Sequence, residues 1–240
     1  MLQIYFVCLT FGLGSQISTD YFVTWLKNLF DNCYRILILR QYIFLVTYKS
    51  KNTYFLYTMQ LEQTFITDLV VLSPAVFEDE RGYFFEAYNK SKFADLGIDI
   101  DFVQDNQSFS KKGTLRGLHY QNPPFAQTKL VRVLQGEIMD MAVDLRKDSP
   151  TFGKHFGIVL SAENKKQLLV PQGFAHGFSV LSETAVVLYK CDNYYNKDSE
   201  GGIRYDDATL AIDWGMDLAA AIVSEKDVVL PDFAHCNSQF

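Results

Sequence analysis

The feature that most constrains the fold is a series of short apolar segments, separated by turn residues, that follows Met59. The segments are four to six residues long and rich in Val, Ile, Leu, Phe and Tyr, which is typical of strands. Turn residues such as those at 135–137 and 171–173 separate them. This spacing favours an antiparallel sandwich or barrel. We predict strands at residues 69–72, 115–120, 129–134, 138–143, 157–160, 167–170 and 185–189.

One short helix is predicted at residues 91–96, since Asn89 or Ser91 can cap its first turn and Gly97 can end it. The sequence contains neither GxGxxG nor GxxxxGK followed by Ser or Thr, the glycine-rich loops that hold phosphates. Their absence argues against nicotinamide chemistry and against NTP hydrolysis.

Composition narrows the class of protein. The chain has 240 residues, of which 48% are apolar and 21% charged, so it can bury a sizeable core and is not disordered. The net charge of −6 argues against a nucleic-acid partner, although a few local Lys and Arg side chains could hold a small anion. Four Cys without a CxxC pair are typical of a reducing compartment, and we predict a cytoplasmic protein.

The composition changes near Met59. Residues 1–58 contain no Ala, Glu, Pro or His and carry five Lys or Arg against two Asp. The apolar stretch 21–48 includes four charged residues, which are costly in a bilayer. A signal peptide begins with a basic region, but no Lys or Arg precedes Lys27. We therefore predict that residues 1–58 are an extension outside the functional domain and not native coding sequence. The functional domain is predicted to span 59–240 and to bind no membrane.

Two histidines lie in segments that suggest chemistry. His119 follows Arg116 in a strand-like run, and His176 lies at a turn that leads into the next strand. A histidine among apolar residues is by default a core residue, but imidazole also transfers protons near neutral pH. Strict alternation places Arg116 and His119 on opposite faces of a strand. A bulge at Gly117 could turn both side chains into one cavity.

The pattern Pro-x-Gly-x-x-His at residues 171–176 resembles the second motif of the cupin superfamily, a small jelly-roll barrel. The first cupin motif usually supplies a His-x-His pair of metal ligands. Here that place is taken by His119, Tyr120 and Gln121, so one ligand is missing. Divalent metals prefer three or four protein ligands, so we predict no metal and no other cofactor.

A longer series of motifs runs from about Met59 to Asp232. The motifs are residues 79–86, 102–106, 115–121, 129–132, 140–146, 149–153, 171–178, 188–190, 194–195 and 199–201. In this order they resemble the dTDP-4-dehydrorhamnose 3,5-epimerase family, whereas residues 1–58 resemble nothing in it. The resemblance implies an all-β fold, a cupin jelly-roll barrel with a short helix. It also implies a homodimer with exchanged N-terminal strands.

The resemblance implies a metal-free acid–base reaction. The substrate would be dTDP-4-dehydro-6-deoxy-D-glucose, whose C4 ketone acidifies the protons on C3 and C5. Inversion of both centres through an enolate would give dTDP-4-dehydro-L-rhamnose, in dTDP-L-rhamnose biosynthesis. Such a reaction needs a base on one face of the ring, an acid on the other, and a cation or donor for the enolate oxygen.

The resemblance assigns catalytic roles to residues of this chain. His119 would be the base, Asp227 would hold and stabilise its imidazole, and Tyr189 would be the acid. Lys129 and His176 would bind around the sugar and its 4-keto oxygen.

The remaining substrate contacts follow from the same resemblance. Tyr195 would stack on thymine, although it could also be an ordinary core or rim aromatic residue. Cationic contacts to the diphosphate and sugar would come from Arg81, Arg116 and Lys226. Polar contacts would come from Glu86, Gln104, Asp105, Asn106 and Glu200. Arg81, Glu86 and Glu200 could equally be members of surface ion pairs.

Several alternatives stay open at this point. A 3-epimerase or a 3,4-ketoisomerase could act on the same class of sugar, with Tyr189 as the residue that distinguishes inversion at both centres. A metal-dependent cupin enzyme could use His119 and His176 together with a carboxylate. A non-catalytic jelly roll that binds a sugar nucleotide is the third alternative.

Overall fold

The computed structural model describes residues 58–240, so the predictions for residues 1–58 lie, except for Thr58, outside the described residues. Strands and two short α-helices make up the regular structure. The strands are β1 (Gln60–Gln63), β2 (Val70–Ser73), β3 (Val76–Asp79), β4 (Gly82–Phe85), β5 (Gln104–Lys111), β6 (Leu115–Gln121), β7 (Lys129–Gln135), β8 (Glu137–Asp144), β9 (His155–Ser161), β10 (Gln167–Val170), β11 (Phe174–Val180), β12 (Thr184–Cys191) and β13 (Glu200–Gly202). The helices are α1 (Lys90–Asp95) and α2 (Glu225–Val228).

The strands form two main sheets and a hairpin. The six-stranded sheet has the order β1-β2-β10-β7-β12-β5, the five-stranded sheet has the order β13-β6-β11-β8-β9, and β3 pairs with β4 alone. Neighbouring strands within each sheet are antiparallel. The predicted all-β jelly roll with a short helix is confirmed. Among residues 58–240, no helix combines the length and the apolarity that crossing a bilayer requires.

The main core lies between the two sheets. Val131 and Val187 of the six-stranded sheet pack in one cluster with Ile138, Ala142 and Phe178 of the five-stranded sheet, and each is at most 5% exposed. Burial of one such aliphatic side chain contributes about 1.5–3 kcal/mol. The alternating apolar residues of the strands therefore fix which side chains face inward.

The predicted helix is present one residue earlier than expected. Asn89 caps it by accepting hydrogen bonds from the N–H groups of Ser91 and Lys92. Gly97, with a φ of +85°, follows its end, as the prediction required. The seven predicted strands are all present, and His176 lies inside β11 rather than at the turn before it.

A bulge in β6 shapes the wall of the main cleft. His119 lies opposite His176 on β11, and Arg116 lies opposite Phe178. The two residues between them on β6 therefore lie opposite a single residue of β11, Gly177. Gly117 has a φ of +130°, and a Cβ on it would come within 2.5 Å of the Cα of Gly177. Only glycine fits there. The predicted bulge is confirmed, and it turns both Arg116 and His119 toward one cleft.

Candidate active site

The main cleft has a volume of about 660 Å³. Both sheets and α2 contribute to its lining. Seven residues that the sequence predicted for the site meet in it: Arg116, His119, Lys129, His176, Tyr189, Lys226 and Asp227.

His119 and Asp227 form a hydrogen-bonded pair in this cleft. Nε2 of His119 lies 2.7 Å from Oδ1 of Asp227, and the other carboxylate oxygen accepts the N–H of Gly117 at 3.3 Å. Asp227 is placed by α2, whose first turn is capped by Ser224. Burial alone would raise the pKa of Asp227, but the hydrogen bond and charge of His119, together with hydrogen bonds from Gly117 and Ser224, outweigh burial and hold the pKa below its usual value. The carboxylate therefore stays charged beside the imidazole.

His176 has a carboxylate partner of its own. Its Nε2 lies 2.8 Å from Oδ1 of Asp140, and both residues are buried. The second carboxylate oxygen of Asp140 has no hydrogen-bond partner among the described residues. Asp140 was not among the predicted site residues. Its position in an otherwise apolar strand was the available signal, because a buried carboxylate needs a partner.

Lys129 and Tyr189 lie side by side on the six-stranded sheet. The Nζ of Lys129 is 6.0 Å from the centre of the Tyr189 ring. Burial lowers the pKa of the Lys129 ammonium and raises the pKa of the Tyr189 phenol. The phenol therefore keeps its proton at neutral pH, as an acid must.

Arg116 is held at the rim of the cleft by β5. Its Nε donates to the hydroxyl of Ser110 at 3.1 Å, and its Nη2 donates to the carbonyl of Phe109 at 3.4 Å. Neither partner carries a formal charge, so the guanidinium can still bind an anion. Ser110 was not among the predicted site residues, and no sequence motif points to it.

A second, smaller cavity of about 160 Å³ shares His119, Lys129 and Tyr189 with the main cleft. Tyr195, which is 57% exposed, donates its hydroxyl to Glu200 at 3.1 Å. Glu200 also pairs with Lys226. The predicted residues Gln104, Asn106, Tyr195 and Glu200 all line this cavity.

Three predicted binding residues lie outside both cavities of this single chain. Arg81 lies in the β3–β4 hairpin and pairs with Asp79. Glu86 pairs with Lys92 at 2.8 Å, and Asp105 pairs with Lys190 at 2.9 Å. Their predicted contacts with a substrate stay predictions.

The metal-dependent alternative needs a set of converging ligands. Among residues 58–240, no group of three or more His, Cys, Asp or Glu side chains is arranged to hold a metal ion. His119 and His176 each use Nε2 on a separate carboxylate. The arrangement is that of two separate imidazole–carboxylate pairs, and the absence of a metal stays a prediction.

Comparison with known proteins identifies the family. A family model described as dTDP-4-dehydrorhamnose 3,5-epimerase matches residues 63–235. The enzyme of that name from Salmonella typhimurium is 53% identical over 170 residues, which is 70% of this chain and 92% of the relative.

Solved structures agree with this assignment. The enzyme from Elizabethkingia anophelis is 56% identical, with a TM-score of 0.72 over 74% of this chain and 98% of that chain. A Legionella pneumophila epimerase in complex with dTDP-4-keto-L-rhamnose is 47% identical, with a TM-score of 0.71 over 74% of this chain and 94% of that chain. Together with the cleft just described, these matches show that the chain belongs to the dTDP-4-dehydrorhamnose 3,5-epimerase family.

Proposed function

We propose that this protein epimerises dTDP-4-dehydro-6-deoxy-D-glucose at C3 and C5 to dTDP-4-dehydro-L-rhamnose, in dTDP-L-rhamnose biosynthesis. The observation that carries the proposal is one cleft with proton-transfer groups on both sheets. His119, held by Asp227, lies on the five-stranded sheet, and Tyr189 lies on the six-stranded sheet. The Legionella relative was crystallised with dTDP-4-keto-L-rhamnose, which supports a dTDP-linked ketosugar as the substrate.

Each proton transfer in the proposed reaction uses one side chain of the cleft. Nδ1 of His119 takes the proton from the carbon next to the ketone, and Asp227 stabilises the imidazolium that forms. The electron pair moves onto the ketone oxygen, and the Lys129 ammonium stabilises the resulting enolate. Tyr189 returns a proton to the carbon from the opposite face, which inverts the centre. Exchange with solvent then removes the proton from His119 and restores the one on Tyr189.

The nucleotide is held at the rim of the cleft. Arg116 is free to bind the diphosphate, because its protein partners leave its charge unpaired. Tyr195 offers an exposed ring on which thymine can stack, and the bond to Glu200 fixes that ring. Lys226, Gln104 and Asn106 supply the other contacts from the two cavities, and His176 lies against the sugar.

A homodimer explains the exposed hairpin. The β3–β4 hairpin pairs with neither main sheet, and its Phe77, Tyr83 and Phe84 are 44%, 58% and 69% exposed. Adjacent apolar side chains of this size mark an interaction surface. A second copy that covers them would bring Arg81 and Glu86 close to another subunit. Light scattering after gel filtration should give the dimer mass, and Tyr83→Ser with Phe84→Ser should lower it toward that of a monomer.

The protein is proposed to be cytoplasmic. Cys191 and Cys236, the cysteines of the described region, are both free thiols, which suits a reducing compartment.

The decisive experiment is incubation with dTDP-4-keto-6-deoxyglucose in deuterated water. We expect deuterium at C3 and C5 and NMR signals of the doubly inverted sugar. Inversion at C3 alone would instead indicate a 3-epimerase, and transfer of the ketone to C3 would indicate a ketoisomerase. Binding without any deuterium uptake would indicate a sugar-nucleotide-binding protein.

A further inference from the structure

Two imidazole–carboxylate pairs lie next to each other in the cleft. His119 and His176 are direct neighbours on β6 and β11, and each bonds its own aspartate through Nε2. An ionised carboxylate can only accept a hydrogen bond. A neutral imidazole bonded through Nε2 to an ionised carboxylate carries its proton on Nε2 and its lone pair on Nδ1.

This proton arrangement has different consequences for the two histidines. For His119, a lone pair on Nδ1 is what a base requires. For His176, the same lone pair means that the neutral ring cannot donate to a ketone or enolate oxygen. Lys129 has only N–H donors, which suits it to hold the 4-keto oxygen. His176 needs a different partner, one that donates.

We propose that Asp140 is a positioning residue that keeps His176 a hydrogen-bond acceptor, and that Nδ1 of His176 accepts the C3 hydroxyl of the sugar. This inference rests on the proposed function. On one side of the ketone the sugar has C5 with its methyl group, which makes no hydrogen bond. On the other side it has C3 with its hydroxyl, the donor nearest to the oxygen that Lys129 holds. The buried Asp140 carboxylate thus selects for a hydroxyl at C3.

The proton position can be measured on the free enzyme by ¹⁵N NMR of the imidazoles, with His176 assigned by its loss in His176→Gln. We expect the wild type to show the neutral tautomer with the proton on Nε2. Asp140→Asn should shift the population toward the proton on Nδ1, since an amide can donate to Nε2 where a carboxylate cannot. A wild-type His176 with its proton on Nδ1, or on both nitrogens, would overturn the proposal. An unchanged tautomer of His176 in a folded Asp140→Asn variant would also overturn the proposal. If that variant does not fold, the wild-type spectrum alone decides.

Kinetics supply the second measurement. Asp140→Asn should raise KM about tenfold and change kcat less, because loss of one hydrogen bond to the sugar weakens ground state and transition state alike. The matched control is Asp227→Asn, the same change in the neighbouring pair, which should lower kcat because it disturbs the base. Equal losses of kcat in both variants would contradict the division of roles.

A substrate analogue isolates the hydroxyl itself. With dTDP-4-keto-3,6-dideoxyglucose, deuterium exchange at C5 should show the same KM in wild type and in Asp140→Asn, since the contact is already missing. A further loss with the analogue would overturn the assignment of the C3 hydroxyl. Failure of the wild type to exchange deuterium with the full substrate would refute the proposed function instead, and the NMR result would be unaffected.

Discussion

His119 and Tyr189 face the same cleft from different sheets: His119 lies on β6 of the five-stranded sheet and Tyr189 on β12 of the six-stranded sheet. In the proposed mechanism, a sugar ring between them would meet a base on one face and an acid on the other. Inversion needs this separation, because a proton returned by the group that removed it restores the original configuration.

Replacement of His119 and replacement of Tyr189 should impair the reaction in different ways. His119→Asn should abolish deuterium exchange and epimerisation together, because no base remains to form the enolate. Tyr189→Phe should retain exchange with solvent, since His119 is intact. Inverted product should fall by about 10²-fold or more, the usual effect of removing a general acid.

Mass spectrometry and NMR of the recovered sugar distinguish these outcomes. Exchange without inversion identifies Tyr189 as the acid, and the loss at C5 should be at least as large as at C3. A normal rate of double inversion in Tyr189→Phe would assign the acid role to water or to another side chain.

Lys129 should set the alkaline limit of the reaction. Burial lowers the pKa of its ammonium, whereas burial raises the pKa of Tyr189. Burial therefore moves the loss of the Lys129 proton to lower pH, and kcat should fall about tenfold per pH unit above the pKa of Lys129 because the enolate loses its cation. The carboxylates of Asp140 and Glu200 oppose this loss, and so would the thiolate of Cys191.

The control for the alkaline limit is Lys129→Arg. A guanidinium stays charged throughout the accessible range of pH. The kcat of Lys129→Arg, although lower than that of the wild type, should therefore not change with pH over the range in which the wild-type kcat declines. If the two pH profiles have the same alkaline limb, a group other than Lys129 causes it.

Tyr195→Ala should weaken dTDP binding by about 1–3 kcal/mol, the usual contribution of one base stacked on an aromatic ring. Tyr195→Phe keeps the ring and removes only the hydrogen bond to Glu200, so it should bind dTDP more tightly than Tyr195→Ala. Calorimetry measures both variants. Unchanged affinity in Tyr195→Ala would exclude this residue from the nucleotide site.

Prolonged treatment with a strong chelator should leave the activity unchanged. Both histidines of the cleft bond separate carboxylates through Nε2, and residues 58–240 hold no group of three or more side chains suited to bind a metal ion. A decline in turnover that added divalent metal reverses would support the metal-dependent alternative.

A chain that starts at Met59 should fold and retain full turnover. The composition changes at this residue, and the family match begins at residue 63. Thermal unfolding and turnover of the shortened chain, compared with the full chain, provide the test. An insoluble or inactive product would mean that residues 1–58 contribute to the fold.

Strand β5 was not predicted from the sequence. The apolar strands were predictable because their buried side chains follow the period of a sheet. In β5, the inward positions include Gln104, Asn106 and Ser110, which line the cavities rather than the apolar core. A strand that serves a polar site lacks the apolar pattern by which strands are found.

The candidate active site, too, was predictable from the sequence only in part. The bulge at Gly117 was predictable from a glycine between two chemically active residues, and the resemblance indicated that His119 and Asp227 belong together. The pairing of Asp140 with His176 depends on a diagonal contact between β8 and β11. Such a contact follows from strand register, which a single sequence does not specify.

The close approach of Gly117 and Gly177 limits how this enzyme can change. A methyl group on Gly177 would lie 2.7 Å from the carbonyl oxygen of Arg116, so any other residue there forces the two strands apart. Directed evolution toward other sugars should therefore leave both glycines untouched. Useful substitutions should collect on the facing wall, along β5 and β12, whose side chains also line the cleft.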